Sequence, residues 1–319
     1  GCAGVLAMPN TKPPLTDEEI VIRYHKLAEQ AGVGDVFFGI YLGLTKDIEQ
    51  VKRAVDLSRK FPWIVGFKMY WGESTNPVIS VVEKDDQYRV IETLAKEGAD
   101  KVLANHLEKQ SLLKERLFDY KDPVTHAQLA RPEEAEVESI GDALSICREV
   151  GYKGKFDVKH ISTPQGVELV SQARAEGLDA WCWACPHHFI YDYDVMRREH
   201  GLNYKMNPPL RKIGTPEKML EYLRQGLIQG VETDHAPHTL QDKGPPTCAS
   251  GVSSLHAWPL FLEYLRTKEF SELQIERLTH NAIIERHGVE ISNSKRSGKY
   301  NSEIYPVNSW KDLEVKLGF

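Results

Sequence analysis

Short β-rich runs alternate with amphipathic helical stretches along this chain to about residue 288, which limits the fold to a parallel sheet covered by helices. The runs lie at 4–8, 35–43, 63–70, 101–107, 155–161, 179–185 and 229–234. Between them the periodicity predicts helices over 17–30, 47–60, 85–98, 133–149, 164–176 and 216–228, the first opened by a capping box at Thr16-Asp-Glu-Glu19. Such a sheet is either open and doubly wound or closed into a barrel. Residues with chemical potential follow nearly every run, whereas an open sheet gathers them at one switch point, so a TIM-type (β/α)8 barrel is expected. That barrel needs eight strands and the sequence offers seven. Because the first residues after Gly1 are already strand-like, the first βα unit is expected to be missing from this chain. Residues 1–288 then form the barrel, incomplete at its N-terminus, and 289–319 a C-terminal extension that begins with the polar linker Ser292–Gly298.

The 319 residues are 41% hydrophobic and 27% charged, enough to build a large core. A net charge of −6 without a long basic block argues against nucleic-acid or anionic-membrane partners. No apolar run approaches the ~20 residues of a membrane span. The five cysteines, Cys2, Cys147, Cys182, Cys185 and Cys248, are odd in number and scattered, the pattern of reduced thiols in a cytoplasm.

Val231-Glu-Thr-Asp-His-Ala-Pro-His238 ends a strand with one Asp and two His in five positions, a composition suited to a metal or proton-transfer site. Lys68 sits within an otherwise apolar strand, where an unpaired ammonium is costly; it is either ion-paired or carbamylated into a carboxylate ligand. His106 and His160 each end a strand. One strand histidine is an ordinary core residue, but two on neighbouring strands, between a lysine strand and an aspartate strand, read as ligands. Asp234 is compatible with metal ligation and with proton shuttling at once, and with a helix N-cap as the plainer alternative. Cys182-Trp-Ala-Cys185-Pro-His-His188 lacks the second CxxC of a structural zinc site and reads as buried thiols and aromatics. Lys205-Met-Asn-Pro-Pro-Leu-Arg211 is a rigid loop able to present Asn207 to a ligand.

Six segments taken in order, Met8-Pro-Asn-Thr11, Arg131-Pro-Glu-Glu-Ala-Glu136, His160-Ile-Ser-Thr163, Pro186-His-His188, Asn207-Pro-Pro-Leu-Arg211 and Thr233-Asp-His-Ala-Pro-His238, resemble the dihydroorotases, within the cyclic amidohydrolases of the amidohydrolase superfamily. The likeness runs from about Gly4 to Gly288, and Met-Pro-Asn-Thr leans towards dihydroorotase over hydantoinase or allantoinase. It implies a zinc-dependent, binuclear barrel hydrolase that interconverts N-carbamoyl-L-aspartate and dihydroorotate in pyrimidine biosynthesis in the cytoplasm. On that likeness Lys68 is a carboxylated bridging ligand, His106 and His160 are ligands of the second zinc, and Asp234 is both ligand and general acid/base. Asn10 and His238 would hold the substrate carboxylate, and Asn207 the pyrimidine ring.

The family's first strand carries a His-x-His pair that supplies two ligands of the first zinc, and nothing in this sequence matches it. The first zinc is therefore expected to bind poorly. Two other readings stay open: an inactive dihydroorotase-like subunit supporting a partner such as aspartate transcarbamoylase, and a cyclic amidohydrolase of the allantoinase or hydantoinase type. A scaffold has no physical need for Lys68 or Asp234, which weighs against the first. A homodimer is the other assembly expected.

Overall fold

The computed structural model of the chain describes residues 2–31, 36–73, 76–291 and 307–318. Seven strands, β1 Gly4–Ala7, β2 Phe37–Gly43, β3 Ile64–Tyr70, β4 Val102–His106, β5 Lys155–Val158, β6 Ala180–Ala184 and β7 Gly230–Val231, form one parallel sheet in sequential order. Twelve α-helices accompany them among the described residues: α1 Glu18–Gln30, α2 Ile48–Lys60, α3 Lys84–Lys96, α4 Glu133–Glu149, α5 Pro164–Ala175, α6 Pro186–Ile190, α7 Thr215–Arg224, α8 Leu240–Lys243, α9 Trp258–Thr267, α10 Glu272–Glu276, α11 Ala282–His287 and α12 Lys311–Leu317. The strand order never reverses, so the sheet has no switch point. This singly wound arrangement is that of a barrel wall, a half-barrel of seven strands, and not of a doubly wound sheet.

Alternation along each strand separates two faces. Ile40, Leu42, Phe67, Met69, Leu103, Phe156, Val158 and Cys182 join the helices in one large core. The opposite face carries a small cluster of Tyr41, Val65, Val102, Ala104 and Val289, flanked by Leu6, Met8, Phe37 and Ile291. The remainder of that face is polar and charged, with Lys68, Asp157 and Lys159 all buried. The pairing register sets Tyr70 beside His106 and Lys68 beside Ala104, so the functional positions of β3 and β4 lie one pleat apart.

Several local expectations change. At α1 the cap is Asp17, whose side chain accepts from the Ile20 N–H, and not Thr16. Asp17 starts the helix one residue later than a Thr16 capping box requires, and its carboxylate is as good a cap as a hydroxyl. Among the described residues there is no eighth strand and no pairing between β1 and β7. The segment after α11 returns to the edge strand: a Cβ at Gly4 would lie 3.1 Å from Ile291 Cδ1. Further along, Trp310 is buried and its indole N–H donates to the Ser253 carbonyl at 2.7 Å, so residues 307–318 pack against the rest of the fold. The linker at 292–298 lies outside the described residues. No helix among the described residues is long and apolar enough to cross a membrane.

Candidate metal centre at the strand ends

Parallel strands place all their C-terminal ends on one side. Lys68 lies two residues before the end of β3, His106 ends β4, His160 follows β5 by two residues and Asp234 follows β7 by three. His106 Nδ1 stands 3.0 Å from His160 Nε2, and the other His106 nitrogen meets the Glu108 carboxylate at 2.7 Å. Glu108 is itself fully buried and receives the Arg131 guanidinium at 2.5 Å, while Arg131 Nε reaches Glu115 at 2.6 Å. Arg131 thus pins Glu108, and Glu108 pins the His106 ring with Nδ1 facing His160. A carboxylate on the far nitrogen of a histidine is the usual support for a metal-ligating imidazole. Burial alone would raise the Glu108 carboxyl, but Arg131 and His106 outweigh it and hold it down at about 2.

His160 and Asp234 both adopt a left-handed backbone, each with φ 41°, unusual for residues carrying a Cβ. Glu232 holds the first of these: its carboxylate accepts the His160 backbone N–H at 2.5 Å. Its second oxygen lies 3.3 Å from Lys159 Nζ, and Lys159 in turn is 3.2 Å from Asp157 and stacks over Trp183 at 4.2 Å. Asp157 also takes the Trp183 indole N–H and Arg286 Nε, each at 2.6 Å. This ladder compensates the buried charges behind the site, as charges buried away from water require.

The four residues share an electrostatic environment. Burial pushes the Lys68 ammonium down to about 8, opposed by Glu232 and Asp234. Burial and Glu232 raise the Asp234 carboxyl to about 6, opposed by Lys68. Burial keeps His106 below the ordinary histidine range, and burial with His106 and Lys68 keeps His160 well below it. Neutral imidazoles, an amine that deprotonates near neutrality and a carboxylate with its own proton affinity form a donor set that suits a divalent ion. The 3.0 Å between the facing histidine nitrogens also approaches the ~3.3 Å that Zn–N bonds of ~2.0–2.1 Å set at one tetrahedral ion.

The remaining sequence-selected residues are dispersed around this mouth. Asn10 is exposed, three residues past β1. Asn207 Oδ1 lies 2.9 Å from His126 Nε2, which also meets the Met206 carbonyl at 3.0 Å. Two acceptors on one nitrogen place the proton there, so Asn207 accepts through its oxygen and keeps its amide N–H groups for another partner. His238 Nε2 donates to the Ser250 carbonyl at 3.0 Å, a contact that needs the bare backbone of Gly251 beside it: a Cβ there would stand 2.8 Å from that nitrogen. Holding a carboxylate through Nδ1 then requires a second proton on the ring. His235, the other histidine of that motif, turns away and accepts from the Ser254 and Leu255 backbone N–H groups, both at 3.1 Å. Sequence reasoning passed over Glu108, Glu232 and Lys159. The first two stand two residues from His106 and from Asp234, just past the ends of β4 and β7.

No protein-family model matches the sequence. Among curated proteins it is 31% identical over 279 residues to a dihydroorotase of Methanosarcina mazei, covering 83% of this chain and 58% of that protein. It is 29% identical over 244 residues to an allantoinase of Bacillus velezensis, covering 74% of this chain and 51% of that one. The chain thus spans between half and three fifths of the length of these relatives. Among solved structures it superposes on the L-hydantoinase (dihydropyrimidinase) of Arthrobacter aurescens with a TM-score of 0.72 at 22% identity, covering 94% of this chain and 65% of that one. By sequence and by fold, the chain is a dihydroorotase-like relative of the cyclic amidohydrolases.

Proposed function

We propose that this protein is a metal-dependent hydrolase of cyclic amides, and that its reaction is the reversible closure of N-carbamoyl-L-aspartate to dihydroorotate. The observation that carries the reading is the pair of facing histidines, His106 and His160, 3.0 Å apart, with Lys68 and Asp234 at other strand C-termini of the same sheet and each acting on the other's charge. A scaffold does not need two facing neutral histidines beside a buried lysine and a carboxylate raised to about 6. The likeness to a named dihydroorotase over 83% of the chain supports the choice of ring.

Lys68, carboxylated on its amine, with His106, His160 and Asp234 would hold zinc. When bound, the ion polarises the ring carbonyl and lowers the pKa of water towards neutrality. Asp234, raised to about 6, is suited to take the proton of the attacking water and to return it to the amide nitrogen as the ring opens. Asn207 would offer its amide N–H groups to a ring carbonyl, and Asn10 and His238 would hold the substrate carboxylate.

The test is a comparison of kcat/KM for dihydroorotate, hydantoin and allantoin on the metal-loaded chain. The reading predicts dihydroorotate as the preferred ring by at least tenfold. A preference for allantoin, which the likeness to an allantoinase favours, would move the substrate while keeping the reaction class.

A further inference from the structure

Cys185, His187 and His188 stand at the end of β6, where the chain turns into α6. We propose that these three side chains form a further metal-binding site, beside the Lys68, His106, His160 and Asp234 centre, that takes a zinc-like divalent ion through one thiolate and two imidazoles. It does not depend on which ring the protein acts on.

Their ligand atoms all lie within 4.8 Å of one another, and all three residues are buried. Donors on one tetrahedral zinc stand roughly 3.3–3.8 Å apart, given bond lengths of ~2.0–2.3 Å. The cradle therefore has to tighten by about 1.5 Å at most, within reach of small side-chain rotations. More telling is what the rings lack. Neither nitrogen of His187 and neither nitrogen of His188 makes a hydrogen bond, although both rings are about 97% buried. The Pro208 carbonyl lies near His188 but outside bonding geometry. Buried imidazoles normally satisfy at least one nitrogen, and leaving four unpaired on two adjacent rings is a penalty with no return unless a ligand meets them. The two rings sit edge to face with centroids 4.4 Å apart.

The donor chemistry selects the ion. One sulfur and two neutral imidazoles suit a borderline-soft cation and not magnesium or calcium. Burial holds both imidazoles neutral, as ligation requires. It also holds the proton on Cys185, so binding replaces that proton with the ion and releases it to solvent. Cys182 takes no part. Its thiol lies on the helix-facing side of β6 and donates to the Leu227 carbonyl at 3.3 Å, so the CxxC spacing does not create a two-sulfur site. Three protein donors leave the fourth position open, as in zinc sites that also bind water or substrate.

Cobalt(II) loading tests this directly, because only a thiolate ligand gives an intense sulfur-to-cobalt charge-transfer band in the near ultraviolet, and the Lys68 centre contains no sulfur. The full chain, stripped and reloaded with cobalt, should show the band. Cys185→Ser should abolish it and lower bound metal by about one equivalent, while Cys182→Ser keeps both. Lys68→Ala combined with Asp234→Asn should keep the band even though ring hydrolysis is lost. Absence of the band in the wild-type chain overturns the proposal, as does its survival in Cys185→Ser. Should Cys185→Ser fail to fold, Cys185→Ala provides the same comparison. Failure of the dihydroorotate assay with the band intact would count against the substrate and not against this site.

Discussion

The Glu232 carboxylate accepts the backbone N–H of His160 at 2.5 Å and so fixes the one residue of β5's exit that turns left-handed, with φ 41°. The contact ties the loop after β5 to the strand end of β7 and sets where the His160 ring points. Removing the acceptor should release the strained turn and misplace that ring. Glu232→Ala is expected to weaken metal binding about 10–100-fold, the range for residues that orient ligands. Glu232→Gln keeps an acceptor for the N–H and loses only the charge opposite Lys159, so its loss should be smaller. Competitive chelator titration checks both, and equal affinities in all three proteins would show that the contact positions nothing.

Asp234→Asn should remove ring hydrolysis while leaving the fold intact, because an amide cannot accept the proton. Losing a general acid/base alone costs about 10²–10⁴-fold, and losing a ligand adds to that. Steady-state rates beside a thermal unfolding curve separate the two outcomes. Near-wild-type turnover would remove Asp234 from the mechanism.

Arg131 and Glu108 form a buried pair whose charges compensate each other. Arg131→Met leaves a buried carboxylate without its guanidinium, and breaking such a pair by one partner costs about 3–5 kcal/mol. Urea unfolding should register a loss of that size. The same variant should weaken metal binding, since Glu108 then no longer holds the His106 ring.

Stability should fall as the solution is acidified from neutrality. Burial, with Lys205 and Arg131, lowers His126 to about 3; burial and Lys159 lower His287 to about 4. Above an ordinary histidine pKa of about 6.5 both are neutral folded and unfolded, so the pH has no leverage. Below it the unfolded chain takes protons that the folded chain refuses, and stability drops until the pH reaches the folded values. The slope is about 1.4 kcal/mol per pH unit for each histidine. His126→Gln should reduce the slope of unfolding free energy between pH 6 and 4 by about one proton, and an unchanged slope would contradict the assignment.

The alternation of short apolar runs and helical stretches is enough to place every strand of the sheet, because brief apolar or aromatic runs separated by amphipathic helices leave few other readings. Helix starts were less exact: Asp17 competes with Thr16 as a cap, and only the backbone decides between them. Lys68, His106, His160 and Asp234 stand out in the sequence because each breaks an apolar pattern at a strand end. Glu232 and Lys159 do not, since a charged residue beside a catalytic-looking one reads as solvated loop until the fold buries it. His187 and His188 were visible as a pair, but the CxxC spacing drew attention to Cys182, which faces the helices. Contacts such as Arg131 to Glu108, 23 residues apart, carry no sequence signal at all.

The most direct test of the central claim is dihydroorotate turnover by the chain before and after metal removal. The account predicts that chelation abolishes ring opening and closing, that zinc restores both, and that neither returns in Lys68→Ala. Turnover that survives chelation, or that zinc restores equally in Lys68→Ala, would contradict a metal centre built on Lys68, His106, His160 and Asp234.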